Sequence, residues 1–268
     1  MNHNLNEMLK VSEGRHLRPE ELELFQNYYD GLPKRLEYMK QLEAKESACI
    51  KGAVDAFFEQ YPGMKNQADN YSKTMRDMTY LYRTAAMGMV QHDFLTVANK
   101  AGFVFEIFAS LGFPKGMIES AYDALRSSMQ KELSAETWRA AQPFYQMLSE
   151  SRMAAWAELN LQKKKLIAAG IAFVFEKWPQ LKSLPDVETH LSKDMSTLLQ
   201  AVGLSMLSQD PRAVNERKAW LYSYFKTLRF EMKMVYETYE HLPQLAQGIV
   251  SASTLSLLSP WLKLLQTD

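Results

Sequence analysis

The chain has 268 residues, with 31 Lys+Arg against 31 Asp+Glu, and 47% of its residues are hydrophobic against 23% charged. An apolar fraction this high, with 11 Gly and 10 Pro over the whole length, excludes a disordered or fibrous chain and supplies one large or two small cores. Zero formal net charge removes any overall pull towards nucleic acid, which needs a surplus of Lys and Arg on one face, so no nucleic-acid partner is expected.

Helical periodicity dominates, and alternating β-branched runs closed by Asn-Gly or Asp-Gly turns are missing from the sequence, so the expected fold class is all-α. A long helix is predicted from Pro33, whose fixed φ suits a first turn after Gly31, to the stop at Tyr61-Pro62-Gly63. Leu36, Met39, Leu42, Ile50, Val54 and Phe57 recur along it at helical spacing and form one apolar stripe. The next helix is predicted over 70–90, carrying Met75, Met78, Leu81, Tyr82, Ala85 and Met89. Two more follow over 95–110 and 115–131, separated by Leu111-Gly112-Phe113-Pro114. The Leu-rich segment 249–265 reads as a terminal packing helix. The longest apolar run, 166–175, is far short of the roughly 20 residues that span a bilayer, and the polar segment 1–10 has no secretory pattern. Cys49, the single cysteine, forms neither an internal disulfide nor a thiolate cage, which suits a reducing, cytoplasmic setting.

Shifted by 117 residues, the sequence overlays itself without a gap. Glu59 meets Glu176, Pro62 meets Pro179, Asp77 meets Asp194, Met89 meets Met206, Val97 meets Val214, Tyr122 meets Tyr239 and Pro143 meets Pro260. At least twenty identities fall over about ninety positions, where ordinary residue usage gives roughly five. The chain is therefore read as a duplication into two tandem units, 1–132 and 133–268. The segment 133–148 also resembles 17–32 and is expected to be a helix shared between them.

The segment from Tyr71 to Asp93 contains Tyr71-Ser-Lys-Thr-Met-Arg-Asp77, then Tyr80 and Arg83, and closes near Gly88 and Asp93. It resembles the chromophore-bearing helix of the phycobiliproteins, which reads Tyr, two small residues, Cys, an apolar residue and Arg-Asp, then Tyr and Arg, closing on Ala-Gly-Asp. Leu5-Asn-Glu7, Gly14-Arg-His-Leu17 and Glu21-Leu22 resemble that family's N-terminal helical hairpin, and Ser110-Leu-Gly-Phe-Pro114 its Ser-Leu-Gly-Val-Pro turn. The resemblance covers residues 5–130 and reaches the second half through the repeat. It implies two tandem globin-like units with an N-terminal hairpin used for subunit pairing. It also implies a linear tetrapyrrole held by a Cys thioether, an Asp and basic residues.

Position by position, the resemblance makes Asp77 the pyrrole-binding acid and Arg76 the propionate-binding base, with Lys73 as a further cation; Lys193 and Asp194 are the matching residues of the second unit. The attachment positions hold Thr74 and Leu191, and a hydroxyl does not add to a bilin as a thiol does, so no covalent bilin is expected. A non-covalent bilin at these acids remains one reading; the other is that Arg76 and Asp77 are exposed helix residues with no ligand, and burial of Asp77 under a cleft would favour the first. Cys49 is read as a core or interface thiol. Haem needs a pocket imidazole, yet His92 overlays Gln209 and His190 overlays Lys73. With no metal, phosphate-loop or acid/base motif visible, no enzyme is expected. The resemblance implies a non-enzymatic protein that binds phycobilisome or other photosynthetic components in assembly, repair, turnover or scaffolding, either cytoplasmic or peripheral on the thylakoid surface. Leu5, Arg15, Leu17, Leu22 and Arg83 are its expected partner-binding residues. The alternative is a non-covalent bilin or haem carrier or sensor.

Overall fold

The computed structural model describes residues 5, 9–10, 16–65, 69–114, 116–227 and 231–266. Among them are helices and turns and no strand, as the all-α expectation requires. The chain divides into two compact units, Met1–Glu150 and Ser151–Asp268.

In the first unit, α1 (Pro19–Asp30) leads through Gly31 into α2 (Leu32–Gln60). Pro33 stands in the first turn of α2, where a missing N–H breaks no helical bond. Pro62 bars helical backbone at the residue before it, and Tyr61 accordingly leaves the helix at φ −124°, ψ 62°. After a one-turn helix, Pro62–Lys65, the described residues of the unit form α3 (Asn70–Gln91), α4 (Phe94–Ser110), α5 (Met117–Glu132) and α6 (Ala135–Gln146). The α2 stripe buries Leu42, Ile50, Val54 and Phe57, joined by Cys49, Ala53 and Phe58, against α3 and α5. Each large side chain so buried contributes about 1.5–3 kcal/mol. Leu36 is left 45% exposed, so the buried stripe starts later than the spacing predicts.

Across this pair lies α6, packed on α3 and α2. Phe144 stacks on Phe94 with ring centroids 4.5 Å apart. The Tyr145 hydroxyl donates to the Tyr82 carbonyl at 2.8 Å, and the Tyr82 hydroxyl donates to the Leu42 carbonyl at 2.9 Å. Two phenols are thereby buried with their donors satisfied. Ser134 caps α6 by accepting the Thr137 N–H, and Gln41 Oε1 on α2 accepts both hydroxyls, from Ser134 at 3.3 Å and Thr137 at 2.5 Å.

The second unit consists of α7 (Glu150–Lys177), a 3₁₀ turn (Pro179–Ser183), α8 (Val187–Ser208), α9 (Arg212–Thr227), α10 (Met232–Gln247) and α11 (Ala252–Lys263). α8 and α11 start and stop 117 residues after α3 and α6. The helix caps repeat as well. Asp69 and Asp186 precede α3 and α8 in the left-handed conformation, at φ 65° and 55°, and His92 and Gln209 close them at φ 51° and 55°. Ser251 caps α11 as Ser134 caps α6, and the Glu158 carboxylate takes the place of Gln41. It accepts the Ser251 N–H at 2.7 Å, the Ser251 hydroxyl at 2.6 Å and the Thr254 hydroxyl at 2.5 Å. The repeat thus includes α2 and α7, upstream of the Glu59 and Glu176 match. The 133–148 segment packs in the first unit as α6, and its equivalent packs in the second as α11, with Leu258, Leu262 and Leu265 buried.

One position shows how the second core adjusted. A Cβ on Gly203 would meet Trp156 Cζ3 at 2.4 Å and Cε3 at 2.5 Å. The equivalent residues of the first unit are Ala86 and Met39. Gly203→Ala is therefore expected to cost about 1–3 kcal/mol in urea denaturation, and adding Trp156→Met, which restores the first unit's pair, is expected to recover stability. A Gly203→Ala protein as stable as the parent, or a double variant no better than it, would refute this account.

Candidate functional site

Asp77 and Asp194 stand eight residues after the left-handed caps Asp69 and Asp186, on α3 and α8. Their surroundings differ. In the first unit Lys73 and Arg76 are exposed, and Thr74 and Asp77 are half-buried. The Arg76 Nε donates to Asp77 Oδ1 at 3.1 Å, with the two side chains 73% and 38% exposed. A pair this open contributes roughly 0–1 kcal/mol. Arg76 also borders an open groove of about 470 Å³, shared with Tyr80, Arg83, Met87 and Lys100. Arg83 itself makes a bidentate pair with Glu46 across to α2, at 2.9 and 2.6 Å. Behind Asp77, Tyr122 on α5 packs its ring 5.4 Å from Phe105, and its buried hydroxyl has no hydrogen-bond partner. Burial first, and the Asp77 and Glu119 charges after it, push that phenol far above its ordinary pKa.

In the second unit Lys193 is exposed while Asp194 is buried, at 9% exposure. Arg217 on α9 brings Nη2 to 3.7 Å from Asp194 Oδ1, and its guanidinium lies 4.2 Å from the Trp220 ring centroid. Beside Asp194 is a cavity of about 30 Å³ walled by Leu191, Met195, Met234, Thr238 and Tyr239, space for a single water. Burial pushes the Asp194 carboxyl up to about 6, against the opposing pull of Arg217, His190 and Lys193. Burial likewise lowers Arg217, against the charge of Asp194. Arg217, Tyr122 and Tyr239 escaped the sequence reading as site residues. The signal available was that Lys100 and Arg217 occupy equivalent positions, as do the two tyrosines.

Of the residues expected at a partner interface, Leu22 is 54% exposed on α1, Leu17 is half-buried, and Leu5 is buried at 4% exposure. Arg83 lies on the surface in its pair with Glu46. Arg15 lies outside the described residues. The thiol of Cys49 is buried in α2, and burial raises it to about 11, which leaves it protonated and unreactive. Among the described residues no cluster of three or more His, Cys, Asp or Glu is placed to hold a metal.

A covalently held linear tetrapyrrole does not fit these residues. Thr74 and Leu191 offer no thiol, Cys49 sits on another helix inside the core, and Asp194 is taken up by Arg217 beside a cavity of about 30 Å³. Pockets for ligands of that size run to roughly 300–1,000 Å³. A family model described as phycobilisome protein matches residues 11–150, more than half of the chain. No curated protein matches the sequence.

The burial of Asp194 carries a pH dependence. An acid whose pKa is raised by folding binds its proton more tightly folded than unfolded, so it adds stability as pH falls from about 6 towards its ordinary 3.8. Glu216, raised by burial, acts in the same sense. The second unit is expected to be more resistant to urea at pH 5 than at pH 7, and Asp194→Asn to flatten that gain. An equal gain in parent and variant would contradict the assignment.

Proposed function

Because the chain belongs to the phycobilisome protein family, whose members are light-harvesting rather than catalytic proteins, we propose that it is a phycobiliprotein-like binding protein that carries no covalent pigment. It binds phycobiliproteins or other photosynthetic components in assembly, repair, turnover or scaffolding, at the thylakoid surface. Both of its units, the second included, are phycobiliprotein-like in this reading. The observation that carries it is the loss of the thiol at both equivalent positions, Thr74 and Leu191, in a chain whose one cysteine is buried elsewhere. No helix among the described residues is long and apolar enough to cross a membrane, so contact with the thylakoid would be peripheral.

The contact surface is best supported on α1. The segment 17–32 resembles 133–148, with Tyr28-Tyr29 matching Phe144-Tyr145. In α6 both of the matching aromatic residues are buried against α2 and α3. In α1 Tyr29 is 54% exposed, stacked with Phe25 on the face that also carries Leu22. That face has the residues of a packing helix and meets solvent, as a partner-binding helix does. The double variant Leu22→Glu, Tyr29→Glu is expected to lose at least about tenfold in affinity for purified phycobiliprotein subunits, a loss of about 1.4 kcal/mol, with helical content and thermal midpoint unchanged. Unaltered affinity would sink the assignment of α1.

A second reading, a non-covalent tetrapyrrole carrier, draws on the open groove that Arg76, the neighbour of Asp77, borders with Arg83 and Lys100. Asp77 would accept from pyrrole N–H groups, and Arg76 and Lys100, which line the groove, would pair with propionates. Titration with phycocyanobilin or biliverdin is expected to give a saturable absorption band that Asp77→Ala abolishes and Asp194→Ala leaves in place. No band with either bilin removes this reading.

A further inference from the structure

We infer that the buried carboxylate pocket of the second unit is a guanidinium site, occupied from within by Arg217. The inference stands apart from the partner and pigment readings above. Asp194 and Arg217 lie 3.7 Å apart with side chains only 12% and 21% exposed. Burying two charges costs more than their attraction returns unless each answers the other, and removing either leaves the other stranded. The arginine is held for this role, because Trp220 lies face-on beneath its guanidinium at 4.2 Å. A guanidinium is planar and stacks on aromatic rings; here one arm, Nη2, approaches the carboxylate as an ion pair, while Nε is buried with no hydrogen-bond partner among the described residues. The cavity beside Asp194 is lined by no cation, and Arg217 is the cation within ion-pair distance of Asp194 among the described residues.

The first unit supplies the contrast. Lys100 occupies the position of Arg217, Phe103 that of Trp220 and Thr74 that of Leu191. There Lys100 borders an open groove, Phe103 is 61% exposed, and Asp77 pairs with its own neighbour Arg76 at the surface. The same acid is thus reachable from outside in one unit and plugged in the other. What the plug excludes is a ligand presenting a flat fork of N–H donors.

The test uses the full chain with Arg217→Ala and methylguanidinium as the probe. The variant is expected to melt below the parent, and about 10 mM methylguanidinium to raise its midpoint by at least about 3 °C over an equal concentration of sodium chloride. The parent, with its site filled, and Arg217→Ala, Asp194→Asn, with no carboxylate, are expected to show no such rise. If Arg217→Ala does not fold alone, its refolding yield with and without the probe replaces the midpoint. A variant indifferent to methylguanidinium in both assays, or a double variant that gains as much as the single, overturns the inference.

Discussion

Each unit is closed by an oxygen that its long helix offers to the start of its last helix: Gln41 Oε1 in the first, the Glu158 carboxylate in the second. The last helix begins with a serine and, three residues on, a threonine, whose hydroxyls would otherwise need water at the edge of the core. Anchoring them on the long helix fixes where the last helix starts, and so which of its residues turn inward. In the first unit these are Thr137, Ala141, Phe144 and Tyr145, and in the second Thr254, Leu258 and Leu262. The second anchor is charged, and its hydrogen bonds from Ser251 and Thr254 hold the Glu158 carboxyl below its usual range. The second seam thus uses charge-assisted hydrogen bonds where the first uses neutral ones.

On this shared frame the two acids have taken opposite courses. Asp77 kept its contact with solvent and leans on Arg76. Asp194 lies inside, where desolvation outweighs every neighbouring cation and lifts its pKa. The difference did not need a new backbone. The units differ at equivalent positions around the acids: Arg217 against Lys100, Trp220 against Phe103 and Leu191 against Thr74. Duplication allows this, because one unit can retain an exposed surface while the other gives up its surface for packing.

Much of the fold was legible in the residues. Pro33, Tyr61-Pro62 and the Leu42 to Phe57 stripe placed α2, and the Leu-rich 249–265 segment placed α11. The start of the repeat was hidden. Between α2 and α7 the identities are sparse, Leu42 with Leu159 and Ile50 with Ile167 among them, because helix packing conserves volume and polarity rather than residue type. Gln41 and Glu158 look unrelated until both are seen to accept the same pair of hydroxyls. The acids at the site were legible as a matched pair, but their difference was not. Exposure is decided by residues on α4 and α9, more than twenty positions away, and no local spacing reports which of two equivalent cations reaches the carboxylate.

The four left-handed residues that bracket α3 and α8 work as a ruler. Pinned at both ends, each helix is held to 22 residues, about 33 Å at 1.5 Å per residue. Each acid is then set about 12 Å from its cap. A backbone held this way does not slide or rotate its acid towards a new partner. Change at the site has to arrive through the side chains that come to meet it, and a difference in chemistry between the units leaves no trace in the helix ends.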